Sequence, residues 1–314
     1  MPGSGGRGGT TAIISVMSSF DLCLAWNWEY DTDFVNLLLA ACDTLGQTVL
    51  QARPDNILEV TSRIMGGADV VGAFFDRASE SDPRFSDLAA WAEGQVRCFN
   101  PPHLARWAND KSTMHLEFIH RGLDTPYTII LPPFSDRQDL PPADLSPLGG
   151  SFAIKPAHGG GGEGVVLEAS TWGQVLSVRQ QFAQEKYLLQ AHVTPRLLEG
   201  RPAWFRVLFC CGAIYPCWWN PRTHAYRRLT AQESFQHRLR SLREIPARIA
   251  QICRLDLFST EIALTESGSF LVVDYVNDPV DLRLQSCAAD GAPDAIVTSI
   301  AGRIATWTGL GRNA

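Results

Sequence analysis

At 314 residues, with 45% hydrophobic and 19% charged side chains, the chain has the composition of a globular protein large enough for two or three structural units. A formal charge of -6 argues against a broad nucleic-acid-binding face, and no apolar run is long enough to span a bilayer. The opening MPGSGGRGGTT lacks the apolar core of a secretory signal, reads as a flexible tail over residues 1–11, and places the protein in the cytoplasm. Eight cysteines lie mostly among apolar neighbours, with no CxxC pair and no histidine at zinc-ligand spacing, so they are expected as reduced, buried thiols.

From residue 12 the chain alternates short apolar runs with amphipathic stretches: AIISVM, DFVNLLLAACDTLG, QTVLQA, NILEVTSRIMGG and DVVGAFF. This βαβαβ rhythm, followed by the helix SDLAAWAEG and the strand QVRCF, predicts a small parallel sheet covered by helices over residues 12–103. HLARWANDKSTMHLEFIHRG has helical spacing, and TPYTIILPPF brings a strand and a proline-rich connection. A second unit, over 104–187, then reads as strand, loop and strand across 152–169, a helix in TWGQVLSVRQQFAQEK and a strand in YLLQAHV. Residues 188–314 carry the hairpin WFRVLFCC-G-AIYPCWW, a basic helical region near 231–254, the hairpin STEIALT-ESG-SFLVVDYVND and a terminal helix. The class is α/β at the N-terminus and α+β with antiparallel pairing beyond it.

The stretch SFAIKPAHGGGGEGVVLEAS sets four consecutive glycines, Gly159 to Gly162, between two strands. Glycines let successive backbone N–H groups converge on an anion, and Lys155 adds a compact charge. Neither a GxxxxGK[ST] loop nor the Rossmann spacing is present, so the loop reads as a hairpin flap over phosphates or, alone, as a flexible turn. A second lysine stands in NDK, residues 109–111. Downstream, Glu261 and Asp274 lie on consecutive strands joined by a short turn, where they become cross-strand neighbours, and Asn277 follows at the strand end. Two carboxylates and an amide oxygen suit magnesium, which completes its shell with phosphate and water.

Taken in order, NDK, FAIKPAHGGGGEGV (152–165), YLLQAHV (187–193), WFRV (204–207), STEIAL (259–264) and VVDYVND (272–278) resemble the ATP-grasp superfamily, most of all its ribosomal-protein-S6-modification and glutathione-synthetase-type ligases. The resemblance implies an ATP-grasp fold with an N-terminal βαβ pre-ATP-grasp domain and two grasp subdomains. It implies that Lys111 and Lys155 contact ATP phosphates under the loop of His158, Gly159, Gly160, Gly161 and Gly162. Gln190, Ala191, His192 and Val193 would form the linking strand and read adenine, and Glu261, Asp274 and Asn277 would bind Mg2+. Arg206 would face the transferred phosphate or an acyl-phosphate, and Lys155 would serve the chemistry as well as the cofactor. Apart from the resemblance, Arg283 in DPVDLR either joins Arg206 in neutralising a carboxylate substrate, since guanidinium forks match its oxygens, or forms a surface salt bridge.

The sequence departs from the pattern at Trp204-Phe205, where relatives carry an acid, which leaves the ribose contact to Glu199. DYVN also has two residues between acid and asparagine, which keeps Asp278 as a reserve ligand. Trp26, Trp28 or Tyr30 lines an acceptor pocket or packs between domains, CWWNPRTHAYRR is a substrate wall or a hairpin end, and His158 is a packing residue before it is a base. The implied activity is an ADP-forming, ATP-dependent carboxylate–amine ligase using an acyl-phosphate. The alternatives are a small-molecule kinase on the same scaffold or a nucleotide-binding regulatory protein without turnover. Partners are ATP, a small-molecule or peptide carboxylate and an amine acceptor, with no nucleic acid and no membrane; a homo-oligomer is left open.

Overall fold

The computed structural model describes residues 17–310. The tail 1–11 and all of the AIISVM strand except Met17 lie outside the described residues. The N-terminal unit runs β1 (Ser18–Phe20), β2 (Leu22–Trp26), α1 (Thr32–Thr44), β3 (Val49–Ala52), α2 (Ile57–Met65), β4 (Asp69–Val71), β5 (Ala73–Arg77), α3 (Ser86–Gln95) and β6 (Arg97–Phe99). Four of these strands form a parallel sheet, as expected, in the order β3-β2-β5-β6, but its central strand β2 is Leu22–Trp26, a stretch expected to follow the first strand rather than to form one; β1 pairs with β4 in a separate parallel ribbon. Alternation along β2 and β5 explains the layering. Leu22, Leu24, Ala73 and Phe75 face one core, whereas Cys23, Ala25 and Phe74 face the core of α2 and α3. DVVGAFF, read as one strand, divides at Gly72, whose amide donates to Phe20 O at 2.9 Å as the chain passes from ribbon to sheet.

The helical stretch after residue 102 is two helices, α4 (Pro102–Asn109) and α5 (Lys111–His120). They part at Asp110, whose backbone is extended (ψ 99) and whose carboxylate accepts from the Ser112 and Thr113 amides as an N-cap. The NDK motif is therefore a helix junction. Beyond it, β7 (Thr128–Leu131), β8 (Phe152–Pro156), β9 (Val166–Ala169), α6 (Trp172–Val178) and β10 (Tyr187–Ala191) build an antiparallel sheet ordered β7-β10-β8-β9. The helix expected through 186 stops at 178, because the next side chain, Arg179, is buried and donates to the carbonyls of Pro132 (2.8 Å), Pro133 (3.2 Å) and Arg137 (2.9 Å). The strand expected through 193 ends at Ala191, where its pairing with Phe152 ends.

A short ribbon, β11 (Leu197–Leu198) with β12 (Arg201–Pro202), precedes β13 (Trp204–Cys210), β14 (Ala213–Asn220), β15 (Ala225–Arg228), α7 (Ala231–Gln236), α8 (Ser241–Cys253), β16 (Leu257–Leu264), β17 (Phe270–Asn277) and α9 (Asp294–Gly309). The five longer strands are antiparallel in the order β15-β14-β13-β16-β17. The β13–β14 hairpin turns at Cys211 (φ 45) and Gly212 (φ 79), the paired positive values that a two-residue turn requires. One face of this sheet packs Phe205, Val207 and Phe209 against α4, α5 and α8, and the other packs Leu208 and Cys210 against α1 and α9. All eight cysteines are free; Cys287 is exposed, contrary to expectation, because it stands in the connection between β17 and α9. No helix among the described residues is long and apolar enough to cross a membrane.

One buried side chain ties the N-terminal unit to the acidic hairpin. Asn100, at φ 55, donates to Leu257 O (2.6 Å) and Asp278 Oδ1 (2.9 Å) and accepts from the amides of Asp256 (2.8 Å) and Leu257 (3.0 Å). Asn100→Ala leaves these groups unpaired and strains the left-handed backbone, so it should destabilise the fold by about 2–4 kcal/mol, measured by urea unfolding. A loss within error of zero would show that the bonds are replaced by water.

Candidate functional site

The site grows from strand register. Arg206 on β13 lies opposite Glu261 on β16, which lies opposite Asp274 on β17, and Ser259 pairs with Asn277. Irregular pairing on both sides of Glu261 marks a bulge, a device that re-aims side chains. Arg206 is bound on the spot: Nη1 contacts Glu261 Oε1 at 3.3 Å, Nε and Nη2 donate to Ser259 Oγ at 3.2 and 3.1 Å, and the guanidinium lies 4.9 Å from the Trp219 ring. Trp204 Nε1 donates to Glu261 Oε2 at 3.0 Å. Asn277 Nδ2 donates to Ser259 O at 3.3 Å, which leaves its amide oxygen as the remaining acceptor.

The two carboxylates titrate as a pair. Burial and the adjoining Asp274 raise Glu261 above the ordinary range, against Arg206, Trp204 and Lys155. Burial also opposes ionisation of Asp274, but Lys111, Lys155, Arg206 and Asn277 outweigh it and hold that carboxyl low. Lys155 in turn is lowered by burial, with Asp274 and Glu261 working the other way. Three cations thus surround one fixed carboxylate.

Lys155 is held by a chain of side chains. Its Nζ donates to Gln190 Oε1 at 2.7 Å, Gln190 Nε2 donates to Tyr275 OH at 3.1 Å, and Tyr275 OH stands 2.6 Å from His115 Nδ1. Burial pushes His115 down to about 4, so the imidazole is neutral near pH 7 and accepts the tyrosine proton at Nδ1. Lys111, the first residue of α5, donates from Nζ to Gly159 O at 2.7 Å, and its amide donates to Ala157 O at 2.9 Å. The glycine loop itself takes positive φ at Gly159 (120), Gly161 (63), Gly162 (83) and Gly164 (69). At Gly164 an added Cβ would stand 2.5 Å from Phe182 Cε2. The loop therefore demands glycine both for conformation and for close packing.

The structure brings Lys111, Lys155, Gln190, Arg206, Glu261, Asp274 and Asn277 together. Other expected residues have partners elsewhere. His158 Nδ1 lies 2.9 Å from Glu185 Oε2, anchoring the loop's base; His192 lies 3.9 Å from Glu168, beyond the end of β10 with Val193, while Ala191 closes the strand. Gln190 is committed to Lys155 and Tyr275 at 3% exposure, so its side chain positions the lysine rather than facing an open adenine pocket. Glu199 sits between β11 and β12, bonded to Gln236 (2.6 Å) and His237 (3.4 Å). Arg283 is clasped by Asp281 (2.7 Å) and Asp290 (2.9 Å), with its guanidinium 5.5 Å from the Trp28 ring. Asp278 accepts from Asn100 and is raised to about 7, chiefly by burial. Of the aromatic run, Trp26 donates to Gln51 Oε1 (3.1 Å) and Tyr30 packs edge-on to Trp28 (5.3 Å). In CWWNPRTHAYRR, Trp219 is buried, stacks on His224 at 5.5 Å and backs Arg206.

Sequence reading missed His115, Tyr275, Ser259 and Trp204 as parts of the site. His115 lies one turn after Lys111, and Tyr275 directly follows Asp274, but both read as ordinary core spacing. Trp204 replaces an expected acid and turns out to hold Glu261 instead.

Neither a family model nor a curated protein matches the chain. Solved structures do. The D-cycloserine synthetase DcsG superimposes with a TM-score of 0.61 at 18% identity, over 91% of this chain and 99% of that one. A RimK domain ATP-grasp protein from Sphaerobacter thermophilus DSM 20745 gives 0.61 at 19%, covering 91% and 98%. The ATP-grasp ligase PsnB, complexed with a minimal precursor, Mg and ADP, gives 0.60 at 12%, covering 94% and 99%. The chain has the ATP-grasp fold.

Because His115 binds its proton less readily folded than unfolded, stability is full above about pH 6.5 and declines as pH falls toward about 4. The loss is about 3 kcal/mol at the lower limit, a sign set by the unfolded chain binding the extra proton. Urea unfolding from pH 7 to 4 should show it, and His115→Gln should remove that share; an unchanged pH dependence in the variant would place the acid lability elsewhere.

Proposed function

We propose that the protein is an ATP-dependent carboxylate–amine ligase, ADP-forming, that works through an acyl-phosphate. One observation carries the reading: the carboxylates of Glu261 and Asp274 are paired across strands and surrounded by Lys111, Lys155 and Arg206, all on a fold shared with ATP-grasp ligases. A group of cations around an acidic pair suits a polyphosphate held with a divalent metal. It is not the constellation of a nucleophilic hydrolase.

The donor set fits magnesium. Among the described residues no three His, Cys, Asp or Glu side chains cluster as a self-sufficient metal site. A hard cation that keeps few protein oxygens and takes the rest from phosphate and water needs no such cluster. Glu261, Asp274 and the Asn277 amide oxygen would hold it, with Asp278 in reserve, and when bound the metal would neutralise phosphate charge. Trp204, in donating to Glu261, orients that ligand. PsnB, complexed with Mg and ADP, is consistent with this cofactor pair.

The chain's own groups supply positioning and charge. Lys155, fixed by Gln190, Tyr275 and His115, and Lys111, fixed at the loop, would steady the phosphates, while the glycine amides fold over them. Arg206 would neutralise the group transferred to the substrate carboxylate. Transfer of the terminal phosphoryl group to the carboxylate leaves ADP; attack of the neutral amine on the acyl carbon then forms the C–N bond, breaks the C–O bond to phosphate, and releases phosphate and a proton. Arg283, engaged by Asp281 and Asp290, acts as a strut beside Trp28 in this reading, and Glu199 keeps the ribose role only if the β11–β12 ribbon closes on the nucleotide.

The test is incubation with ATP, Mg2+ and pooled carboxylates and amines, following ADP, phosphate and new amides. The ligase should release both with an amide formed, and Asp274→Asn and Lys155→Ala should each lower kcat about 100- to 1,000-fold. A stable phosphoester would favour a kinase. Nucleotide binding without ADP would favour a regulatory protein.

A further inference from the structure

Charge is unevenly spread along the chain. Residues 17–103 hold thirteen acids against five arginines, whereas residues 194–254 hold eleven arginines against three glutamates. Arg206 is the one among those eleven that the ligase reading uses. Several of the others gather on a surface made by the β11–β12 ribbon, β15 and α7.

Side-chain contacts tie these three elements together. Glu199, at the turn of the ribbon, accepts from Gln236 Nε2 at the end of α7 (2.6 Å) and lies 3.4 Å from His237 Nε2. Glu233, on α7, accepts from Arg227 of β15 and from the Thr230 amide (2.9 Å) and hydroxyl (2.8 Å). Arg201 and Arg227 lie over the buried Trp218 ring, their guanidinium carbons 5.0 and 5.6 Å from its centroid. The third glutamate of the segment, Glu244, pairs with Arg240 at 2.7 Å. All three acids are thus engaged within the segment, and Arg201, Arg228 and Arg238 are left as exposed cations.

The same surface exposes apolar area. Phe235, next to Gln236, is 88% exposed, and Leu197, in the ribbon strand leading to Glu199, is 60% exposed. One exposed apolar side chain needs no explanation. An aromatic and an aliphatic among arginines have the composition of a contact surface, because the apolar pair supplies area to bury and guanidinium forks match carboxylates. Charge complementarity selects the partner. The net charge of -6 opposes a long polyanion, and a phosphate backbone offers Phe235 and Leu197 nothing to bury. A polypeptide segment with carboxylates beside apolar side chains satisfies both sets of groups.

We propose that the β11–β12 ribbon, β15 and α7 form a docking surface for an acidic polypeptide segment, with its carboxylates on Arg201, Arg228 and Arg238 and its apolar side chains on Phe235 and Leu197. The assignment does not depend on the ligase reading.

Fluorescence anisotropy on the full chain tests it with four labelled probes of equal length: a peptide repeating two glutamates and a leucine, the same peptide with glutamine for glutamate, the same with serine for leucine, and oligouridine RNA. The glutamate–leucine peptide should bind, more weakly as salt is raised, with each other probe about tenfold weaker or worse. Arg238→Glu and Phe235→Ser, both at exposed positions, should each weaken that peptide about fivefold to tenfold. Arg53→Glu, which changes the net charge as much but lies exposed on the N-terminal unit, should leave it within about twofold. No binding of the glutamate–leucine peptide, equal binding of the glutamine or serine peptide, tighter binding of the RNA, unchanged affinity in either surface variant, or an equal loss in Arg53→Glu would each overturn the assignment.

Discussion

The site depends on two carboxylates held face to face. Glu261 and Asp274 sit opposite each other on β16 and β17, mostly removed from water, where like charges raise each other's free energy. An apolar pair would serve the sheet better, so the arrangement persists because its surroundings offset it. Arg206 and Trp204 bind Glu261, while Lys111, Lys155, Arg206 and Asn277 hold Asp274 ionised. These partners come from α5, β8, β13 and β17, so forming the acidic pair and assembling the grasp fold are the same event.

The scaffold meets that demand by register and by a few buried polar ties. Period-two alternation on β13 sends Phe205, Val207 and Phe209 into one core and leaves Arg206 on the face shared with Leu208. The chain from Lys155 through Gln190 and Tyr275 to His115 links the central sheet to the C-terminal sheet and to α5. Asn100 fastens the N-terminal sheet to the same hairpin, and Asn109 adds a bond from α4 to Asp278 O at 2.7 Å.

Much of this was legible in the sequence because it follows from local pattern. Three of the four strands of the parallel N-terminal sheet, all but β2, came from alternating runs, both C-terminal hairpins from turn residues between β-rich stretches, and the Glu261–Asp274 pairing from hairpin length. What was not legible depends on long-range contacts. The break at Asp110 needs its side chain to cap α5, and α6 ends early only because Arg179 reaches carbonyls 42 to 47 residues away. Gln190 looked free to read a base until Tyr275 and Lys155 were found on either side of it. Trp204 looked like a lost acid because its value lies across the strand pair, at Glu261.

The central claim is that the acidic pair and its cations activate a carboxylate by phosphorylation. Carboxylates labelled with heavy oxygen, supplied with ATP, Mg2+ and amines, test it most directly by mass spectrometry of the phosphate released. The account predicts one labelled oxygen carried from the carboxylate into phosphate at each turnover. Phosphate that forms without label while amide accumulates would contradict an acyl-phosphate route.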